Sequence, residues 1–275
     1  MADTNRVALV TGASSGIGKE IARRLIADGL TVYAAARRTD KMADLAEAGV
    51  TVLALDITDE ASIEAVVAAI AAAHGGVDVL VNNAGFGLYG SVEDTSIADA
   101  RYQFDVNLFG LARLTQLLLP AMREKGAGTI VNITSMGGKI YTPLGAWYHA
   151  SKHALEGWSD CLRLELAPFG IHVVVVEPGI IETAFGDVLM GPMLERSGKG
   201  AYADFADKVA KATRNSYERG GGSSPTVIAD VVSRAVKAGR PKTRYVAGRL
   251  AWPMIQVRKW LGDRVFDRMV MSAVR

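Results

Sequence analysis

The chain has one cysteine, Cys161, among its 275 residues, which excludes an internal disulfide and favours a reducing compartment. It also has little excess charge of either sign. A formal net charge of +2 gives no reason to expect nucleic acid as a partner. Long apolar runs are missing as well. No apolar stretch approaches the roughly 20 residues of a membrane span, so none is expected. The polar start Met1–Arg6 leads into an apolar stretch too short for a signal peptide. We therefore expect a cytoplasmic protein.

What is present is a regular alternation of short β-branched runs and longer helical stretches. This alternation predicts an α/β fold, a doubly wound sheet of about seven parallel strands with helices on both faces. Strands are expected at Val7–Val10, Thr31–Ala35, Thr51–Leu55, Val77–Val81, Thr129–Ile133, His172–Val176 and Arg244–Ala247. Helices are expected at Lys19–Asp28, Glu60–Ala73, Ile97–Arg123 and Trp147–Ala167. No linker-like break interrupts the pattern, so residues 1–275 are expected to form a single domain.

One stretch departs from the alternation between the sixth strand and the last helix before the seventh. Residues 184–225 contain Gly191-Pro192 and the run Gly220-Gly221-Gly222. A segment of this length is usually functional, and we interpret it as a substrate-covering segment. The alternative is a surface excursion of two packed helices.

The second departure is a basic C-terminal helical extension over residues 248–275. From Arg240 onward the chain has nine lysines and arginines against two acids, Asp263 and Asp267. Apolar side chains recur there at helical spacing, interrupted by Gly262 with Asp263 as a candidate cap. These side chains are Met254, Val257, Leu261, Val265 and Met269. Such a stripe more often packs on the core or on a partner subunit; the alternatives are enclosing an apolar substrate or contacting an anionic membrane surface.

A glycine-rich turn lies between the first strand and the first helix, in the run Thr11-Gly12-Ala13-Ser14-Ser15-Gly16-Ile17-Gly18. Gly12 would make the tight turn, Gly16 would let the backbone approach a pyrophosphate, and Gly18 would let the helix pack on the sheet. The N–H groups at the start of the helix would then face the phosphates. The run predicts a dinucleotide site formed by Gly12, Ser14, Ser15, Gly16, Ile17 and Gly18.

The second strand is followed by Arg37 and Arg38, where an NAD-binding protein tends to carry an acid for the ribose 2′-hydroxyl. A guanidinium suits a 2′-phosphate through charge-assisted hydrogen bonds, so NADP(H) is predicted in preference to NAD(H). Arg37 is the first choice, with Arg38 and Ser14 in support; the alternative is a pair of solvated loop arginines.

Asp56 and Ile57 follow the third strand and are candidates for the adenine site. The Asp56 carboxylate could accept a hydrogen bond from the adenine amino group while Ile57 packs beside the ring. Asp56 could instead cap the next helix, a role that is also open to Asp59.

Further motifs follow the later strands in a fixed order. They are Asn82-Asn83-Ala84-Gly85, Asn107, Ser135, Tyr148-His149-Ala150-Ser151-Lys152 and Pro178-Gly179 with Thr183. With the glycine turn, this set resembles the short-chain dehydrogenase/reductase family over about Arg6 to Ala247. Phe86–Gly90 and Arg244-Tyr245 with the basic tail look most like its 17-beta-hydroxysteroid and retinol dehydrogenase-like branch. The resemblance implies a Rossmann-type fold and a homodimer or homotetramer paired through Ile97–Arg123 and Trp147–Ala167.

The resemblance also implies roles for single residues. Lys152 would hold the nicotinamide ribose, and Asn107 would anchor a water through which protons reach solvent. Asn83, Ala84 and Gly85 would stabilise the sheet and border the adenine ribose. After Pro178 and Gly179, the backbone near Ile181 and the Thr183 hydroxyl would contact the nicotinamide carboxamide.

Tyr148 and Lys152 are spaced i, i+4, so on a helix the ammonium can lie beside the phenol. A nearby cation favours the ionised phenol, which suits general acid–base transfer to a carbonyl or alcohol oxygen held by Ser135. Enoyl reductases on this fold typically show a wider spacing, so carbonyl and alcohol chemistry is favoured. His149 and His153 fall off this helix face, so we interpret them as neighbours of the site rather than as acid–base partners. No cluster of residues indicates a metal.

The candidate substrate pocket is apolar and aromatic: Phe86, Tyr89, Met136, Tyr141, Phe185, Leu189 and Met190. These residues predict a hydrophobic ketone, aldehyde or alcohol as the small-molecule substrate. The alternative function is a non-catalytic NADP(H)-sensing protein, which would usually lack the tyrosine or the lysine.

Overall fold

A computed structural model describes residues 6–183, 185–218 and 221–274, with the backbone alone described at 185–188 and 217–218. Its described part contains one sheet whose seven strands are all parallel, in the order β3-β2-β1-β4-β5-β6-β7. The strands are β1 Val7–Thr11, β2 Thr31–Ala36, β3 Thr51–Ala54, β4 Val79–Asn82, β5 Gly128–Ile133, β6 Ile171–Pro178 and β7 Arg244–Ala247. The predicted parallel α/β sheet is confirmed, and every strand boundary lies within two residues of its expected position.

Helices cover both faces of the sheet. They are α1 Gly16–Ala27, α2 Ala43–Glu47, α3 Glu60–His74, α4 Ile97–Phe104, α5 Gly110–Lys125, α6 Ala146–Leu166, α7 Phe185–Ser197, α8 Ala203–Glu218, α9 Thr226–Lys237 and α10 Ala251–Ser272. The chain runs from β1 outward to β3 and then crosses to β4 on the other side of β1. This reversal opens a crevice at the carboxyl ends of the central strands, where ligands bind in doubly wound folds.

The two faces of β1 show how the sheet is buried. Ala8 and Val10 belong to an apolar cluster that includes side chains of α1 and α9. Val7 and Leu9 belong to a second cluster, formed with α3, α5 and α6. Because successive side chains of a strand point to opposite faces, an unbroken apolar run places one core on each side of the sheet.

The predicted helix Ile97–Arg123 is interrupted, and this corrects the expectation of one continuous helix. Between α4 and α5 lies a π-helical turn at Asp105–Phe109, in which Asn107 is fully buried. Turns of this kind widen the helix locally and often occur at functional sites. Here the turn lets the Asn107 amide reach the backbone of Phe86 and the hydroxyl of Ser151.

The segment after β6 contains the two helices α7 and α8. Met193 of α7 and Val209 and Ala210 of α8 pack in a small apolar cluster with Val274 near the end of the chain. Both helices also line the central cavity. The interpretation of this segment as one that covers a substrate stays a prediction.

The tail helix α10 is bent at Gly262, which has φ 71° and ψ 179°. The predicted interruption at this glycine is therefore confirmed, and Asp263, the candidate cap, forms an ion pair with Arg258. None of the helices among the described residues combines the length and the apolar run that crossing a bilayer requires.

Candidate active site

A cavity of about 850 Å³ lies at the carboxyl ends of the strands. The loops after β1, β4, β5 and β6 line it together with α6, and the helices α7, α8 and α10 complete its wall. The predicted site residues in this lining are Gly12, Ser14, Ser15, Gly16, Ile17, Gly18, Arg38, Asn83, Ala84, Gly85, Ser135, Tyr148, Lys152, Pro178, Gly179, Ile181 and Thr183. Asn107, Arg37, Asp56 and Ile57 lie outside the lining.

The turn after β1 cannot accommodate side chains at its glycines. Gly12 has φ +66°, and a Cβ built there would lie 2.8 Å from the Ala84 Cα atom. A Cβ at Gly18 would lie 2.5 Å from the Gly12 carbonyl oxygen. The turn thus has the close backbone packing that the glycine spacing predicts.

The start of α1 faces the cavity without a side-chain cap. Ser15 occupies the N-cap position but its side chain makes no capping hydrogen bond, and the first turn carries no acid. By contrast, the side chains of Asp59 and Ser96 cap α3 and α4. The N–H groups and the positive end of the α1 dipole are therefore available to an anion in the cavity.

Thr11 and Asn83 join the glycine turn to the end of β4. The Thr11 Oγ atom accepts hydrogen bonds from the backbone N–H groups of Asn83, at 3.1 Å, and of Ala84, at 3.0 Å. The Asn83 side-chain amide donates to the carbonyl oxygens of Thr11, at 2.9 Å, and of Gly12, at 3.3 Å. These bonds hold the two loops in a fixed relation.

The cations after β2 divide into two groups. Arg38 and Lys41 line the cavity, whereas Arg37 is exposed and donates from Nη1 to the Tyr102 hydroxyl at 3.2 Å. Lys19 steadies the loop, because its Nζ donates to the Lys41 carbonyl oxygen at 3.0 Å and lies 2.7 Å from the Asp44 carboxylate. Lys41 was not predicted; a lysine five residues after the strand carries no distinctive signal.

Asp56 and Ile57 have local partners. The Asp56 carboxylate accepts from the Thr58 N–H at 3.0 Å and from its hydroxyl at 2.8 Å, and these bonds hold the pKa of that carboxyl below its usual value. Ile57 is buried in the core cluster beneath α3. Of the two candidates for the α3 cap, Asp59 occupies the position.

Ser135 and Tyr148 line the same part of the cavity. The Ser135 Oγ atom accepts from the Gly137 N–H at 3.0 Å, which orients the hydroxyl. Tyr148 is only 8% exposed, and its ring packs against those of Tyr89 and His149, with centroid distances of 5.8 Å and 5.4 Å. Tyr89 and His149 are also in contact, at 6.2 Å, so the three rings form one cluster that restricts the orientation of the phenol.

Lys152 lies one helical turn beyond Tyr148 on α6 and is buried. Its Nζ donates to the Ile133 carbonyl oxygen at 3.0 Å. Burial lowers the pKa of this ammonium to about 8, and the nearby Glu156 carboxylate opposes the shift. The buried Lys152 ammonium, which lies one helical turn from Tyr148, therefore loses its charge as the pH rises through about 8.

Asn107 supports the site from behind the cavity. Its amide donates to the Phe86 carbonyl oxygen and to the Ser151 Oγ, each at 3.0 Å, and its Oδ1 accepts from the Phe86 N–H at 3.1 Å. Ser151 precedes Lys152 on α6, so Asn107 ties the loop after β4 to the helix that carries Tyr148 and Lys152.

His149 lines the cavity, although its helical position predicted only a neighbour. Its Nε2 accepts from the Thr142 N–H at 3.0 Å, so the proton is on Nδ1, which donates to the Gly137 carbonyl oxygen at 2.9 Å. Burial lowers the pKa of this imidazole to about 4, which keeps it neutral. It therefore pins the loop after Ser135 to α6, a contact that helical spacing alone does not reveal.

A buried cluster of charged residues lies behind Lys152. Glu156 accepts from the Thr134 hydroxyl at 2.6 Å and pairs with Lys139 at 2.8 Å and with Arg244 at 3.0 Å. Glu177 lies 3.4 Å from the Arg244 Nε atom, and burial together with the charge of Glu156 raises its pKa. Sequence reasoning missed this cluster, because a glutamate in a helix usually indicates a solvated face.

The substrate side of the cavity agrees in part with the apolar set expected from sequence. Phe86, Tyr89, Met136, Leu189 and Met190 line it, and the side chain of Phe185 lies outside the described residues. Tyr141 lies outside the lining, because its hydroxyl donates to Asp267 at 2.8 Å and its ring packs on Phe266. Apolar lining residues outside the expected pocket set include Ile140, Met193, Val209, Leu250, Val270 and Val274. Met254 and Met269, which belong to the stripe expected in the tail, also line the cavity, as the alternative of enclosing an apolar substrate requires.

Comparison with known proteins gives matches along most of the chain. The family model described as short chain dehydrogenase matches residues 6–190. A probable short-chain type dehydrogenase/reductase, VdlC, of Helicobacter pylori is 41% identical over 64% of this chain and 65% of its own length. The 3-ketodihydrosphingosine reductase of Bacteroides thetaiotaomicron is 33% identical over 95% of each chain. Human 17-beta-hydroxysteroid dehydrogenase type 1 is 34% identical over 92% of this chain and 80% of its own.

Solved structures extend the similarity to the fold. A short-chain dehydrogenase from Streptomyces avermitilis is 37% identical with a TM-score of 0.79, covering 94% of this chain and 97% of its own. Actinorhodin polyketide ketoreductase with NADPH is 36% identical with a TM-score of 0.74, covering 90% and 97%. A Burkholderia phymatum protein in complex with NAD is 25% identical with a TM-score of 0.79, covering 93% of each chain. The chain belongs to the short-chain dehydrogenase/reductase family of oxidoreductases.

Proposed function

We propose that the protein is an NADP(H)-dependent oxidoreductase that interconverts a carbonyl and an alcohol on a hydrophobic small molecule. The observation that carries the proposal is that Ser135, Tyr148 and Lys152 line one cavity together with the glycine turn. A proton donor, a cation and an anion-binding helix start are thereby adjacent to a largely apolar space. Each has a role in hydride transfer to a carbonyl.

The residues of the cofactor end fit a dinucleotide. The uncapped start of α1, with Ser14 to Gly18, would hold the pyrophosphate, and Asn83 to Gly85 would border the adenine ribose. Pro178, Gly179, Ile181 and Thr183, which also line the cavity, would hold the nicotinamide end. When bound, the nicotinamide supplies or accepts the hydride.

The 2′-phosphate is assigned to the cations after β2. We expect Arg38 and Lys41 to contribute directly because both line the cavity, and Arg37, the first choice from sequence, to act from the rim. Similarity to structures holding NADPH and NAD leaves this preference to be measured. For Asp56 and Ile57 an adenine contact stays a prediction.

The protein groups around the substrate oxygen handle the proton. Ser135 accepts from the Gly137 N–H, so its own proton points toward an oxygen in the cavity. In the reductive direction Tyr148 donates its phenolic proton to that oxygen, and the Lys152 ammonium stabilises the phenolate left behind. We propose that Asn107 positions α6 for this step; a water held by Asn107 stays a prediction.

The proposed substrate class rests on the apolar residues of the cavity wall. Met190, Met193, Met254 and Met269 line it, and methionine side chains adapt to varied apolar shapes. The relatives named as a hydroxysteroid dehydrogenase and a ketodihydrosphingosine reductase carry names that refer to apolar compounds. We therefore propose a hydrophobic ketone, aldehyde or secondary alcohol.

The test is the Tyr148→Phe variant, assayed with NADPH and a panel of steroids, long-chain ketones, retinoids and small sugars. Turnover should fall by about 10²-fold or more, the usual contribution of a positioned acid. Quenching of protein fluorescence by NADPH should change little. A variant that retains the native rate would refute the proton-transfer assignment, and native protein that binds NADPH but turns over none of the panel would favour a nucleotide-sensing role. Turnover of sugars alone would refute the substrate class.

Cofactor choice is tested separately with Arg37→Ala, Arg38→Ala and Lys41→Ala. Loss of a phosphate contact should raise the KM for NADPH more than the KM for NADH, roughly tenfold for a charge-assisted hydrogen bond. Equal effects on both cofactors in all three variants would contradict the preference for NADP(H).

A further inference from the structure

The outer face of α10 exposes two tryptophan side chains to solvent. Trp252 is 64% exposed and Trp260 is 72% exposed. The Trp260 indole N–H donates to Gln256 on the same helix, so the two tryptophans and Gln256 follow one i, i+4 stripe. Tryptophan is enriched where a protein meets the interface of a bilayer, because one edge of the ring is polar and the rest apolar.

Three cations accompany these side chains. Lys259, Arg264 and Arg268 are exposed, and none of them forms an ion pair among the described residues. The two acids of the tail are engaged: Asp263 pairs with Arg258, and Asp267 accepts the Tyr141 hydroxyl at 2.8 Å. Asp267 keeps its charge because the Tyr141 hydroxyl is neutral, so the three cations and this carboxylate leave the surface with a net charge of +2. The Lys259 Nζ atom also lies 5.0 Å from the centroid of the Trp260 ring.

The inner face of the same helix is part of the cavity wall. Met254 lies before the bend at Gly262, Met269 and Val270 lie after it, and all three line the cavity. Leu250 belongs to both sides, since it lines the cavity and is 39% exposed. One helix thus separates the substrate space from the basic, apolar surface.

We propose that the outer face of α10 docks on the surface of an anionic lipid bilayer. Trp252 and Trp260 would enter the boundary between headgroups and acyl chains, while the cations contact anionic headgroups. The cavity wall then lies against the bilayer, from which an apolar compound reaches the site without crossing water. This last step rests on the proposed function, whereas the docking does not.

Charge favours a bilayer over a second copy of this chain. A symmetric dimer through the same face would bring Lys259, Arg264 and Arg268 of two copies together, and like charges across an interface oppose association. An anionic bilayer complements both the cations and the apolar side chains. Because no described helix can cross a membrane, the contact is peripheral.

The experiment is flotation of the full chain with vesicles of phosphatidylcholine and phosphatidylglycerol, compared with vesicles of phosphatidylcholine alone. Binding should require the anionic lipid and weaken as salt is raised. The triple variant K259E/R264E/R268E should bind roughly a hundredfold more weakly, because each lost cation costs several-fold in partitioning. Its turnover of a water-soluble substrate should be unchanged, since none of these residues lines the cavity.

The matched control is R234E/R240E/K242E, which changes the net charge equally with exposed cations that precede β7. It should float like the native protein. If both triple variants lose vesicle binding equally, the effect depends on the total charge of the protein and not on this face. If the native protein binds neither kind of vesicle, the proposal is overturned. If the native protein does not float, and the W252A/W260A variant sediments as a smaller species than the native protein, then this face is a contact between copies of the chain. Native protein that floats but reduces no apolar carbonyl would leave the docking intact and contradict the proposed function.

Discussion

The charge of Lys152 depends on its burial and on Glu156, which lies one turn farther along α6. Burial lowers the pKa of its ammonium to about 8, while Glu156 raises it from the other side. Below that pH the residue is cationic, and in the proposed mechanism it stabilises the phenolate of Tyr148. As the pH rises through about 8 the charge is lost, so the rate of carbonyl reduction should decline on the alkaline side.

Glu156→Gln should move this alkaline decline to lower pH. The carboxylate favours the charged ammonium, and its removal leaves burial unopposed, so the pKa of Lys152 falls further. The measurement is kcat/KM against pH with NADPH saturating. An effect of about one pH unit is expected for a charge at this separation.

Asp160→Asn provides the matched control, since Asp160 also pairs with Arg244 but lies one turn farther from Lys152. Its profile should remain close to that of the native protein. Thermal unfolding of both variants checks the fold, because Glu156 is buried among Lys139 and Arg244. If the Glu156→Gln protein is folded and its kcat/KM declines at the same alkaline pH as that of the native protein, Glu156 does not set the pKa of Lys152.

Single residues differ in how much their surroundings can be inferred from sequence. Tyr148, Lys152 and Ser135 were identified because their types and order are specific to a known chemistry. His149 and Glu177 were not, because their roles depend on a loop and a strand that fold against them. Arg37 shows the same limit: the sequence places a cation after β2, but which of three neighbouring cations faces the cavity depends on the path of the loop.

The bend in α10 connects two parts of the cavity wall. Gly262 has φ 71° and ψ 179°, a combination open essentially to glycine alone. Replacing Gly262 by alanine should destabilise the protein by about 1–3 kcal/mol, measured as a loss in the free energy of unfolding. It should also raise KM for apolar substrates more than it lowers kcat, because Met254 and Met269 lie on either side of the bend.

Gly157→Ala is the comparison for that variant. Gly157 lies inside α6, and a Cβ there would have open space within 4 Å. Alanine in a helix interior should stabilise by about 0.5–1 kcal/mol. If both substitutions have the same effect on stability, the backbone conformation at Gly262 is not under strain.

Helices and strands were predicted from period and composition, with one instructive failure. The apolar pattern of Ile97–Arg123 continues through the π turn, since a single wide turn barely alters the periodicity. Within this turn Asn107 bonds to Phe86 and Ser151, partners that are distant in sequence and that the local pattern does not reveal. The apolar stripe predicted in the tail is divided in the structure: Met254 and Met269 line the cavity, whereas Leu261 and Val265 are exposed.

The assembly of the protein is expected to involve α5 and α6. Leu164 of α6 is 67% exposed, and Phe109 at the end of the π turn is 60% exposed. Exposed apolar side chains on two long helices are typical of a subunit contact, and we propose a homodimer or homotetramer through them.

Leu164→Glu should therefore lower the oligomeric state, because a carboxylate placed in an apolar contact loses hydration without a partner. Sedimentation velocity measures the change. Val92→Glu, at an equally exposed valine (62%) in the loop after β4, should leave the assembly as it is. A monomeric native protein, or equal effects of both substitutions, would contradict this assignment.

The order of these features along the chain has a consequence for how such enzymes diversify. The glycine turn and the proposed catalytic side chains lie within residues 6–190, the part that matches the family model. Much of the apolar wall comes afterwards, from Met193, α8 and the two arms of α10. In the proposed function, the reaction and much of the specificity are thus encoded in successive parts of one gene product. A recombination point between α7 and α8 would let a lineage exchange part of its substrate wall while inheriting its chemistry unaltered.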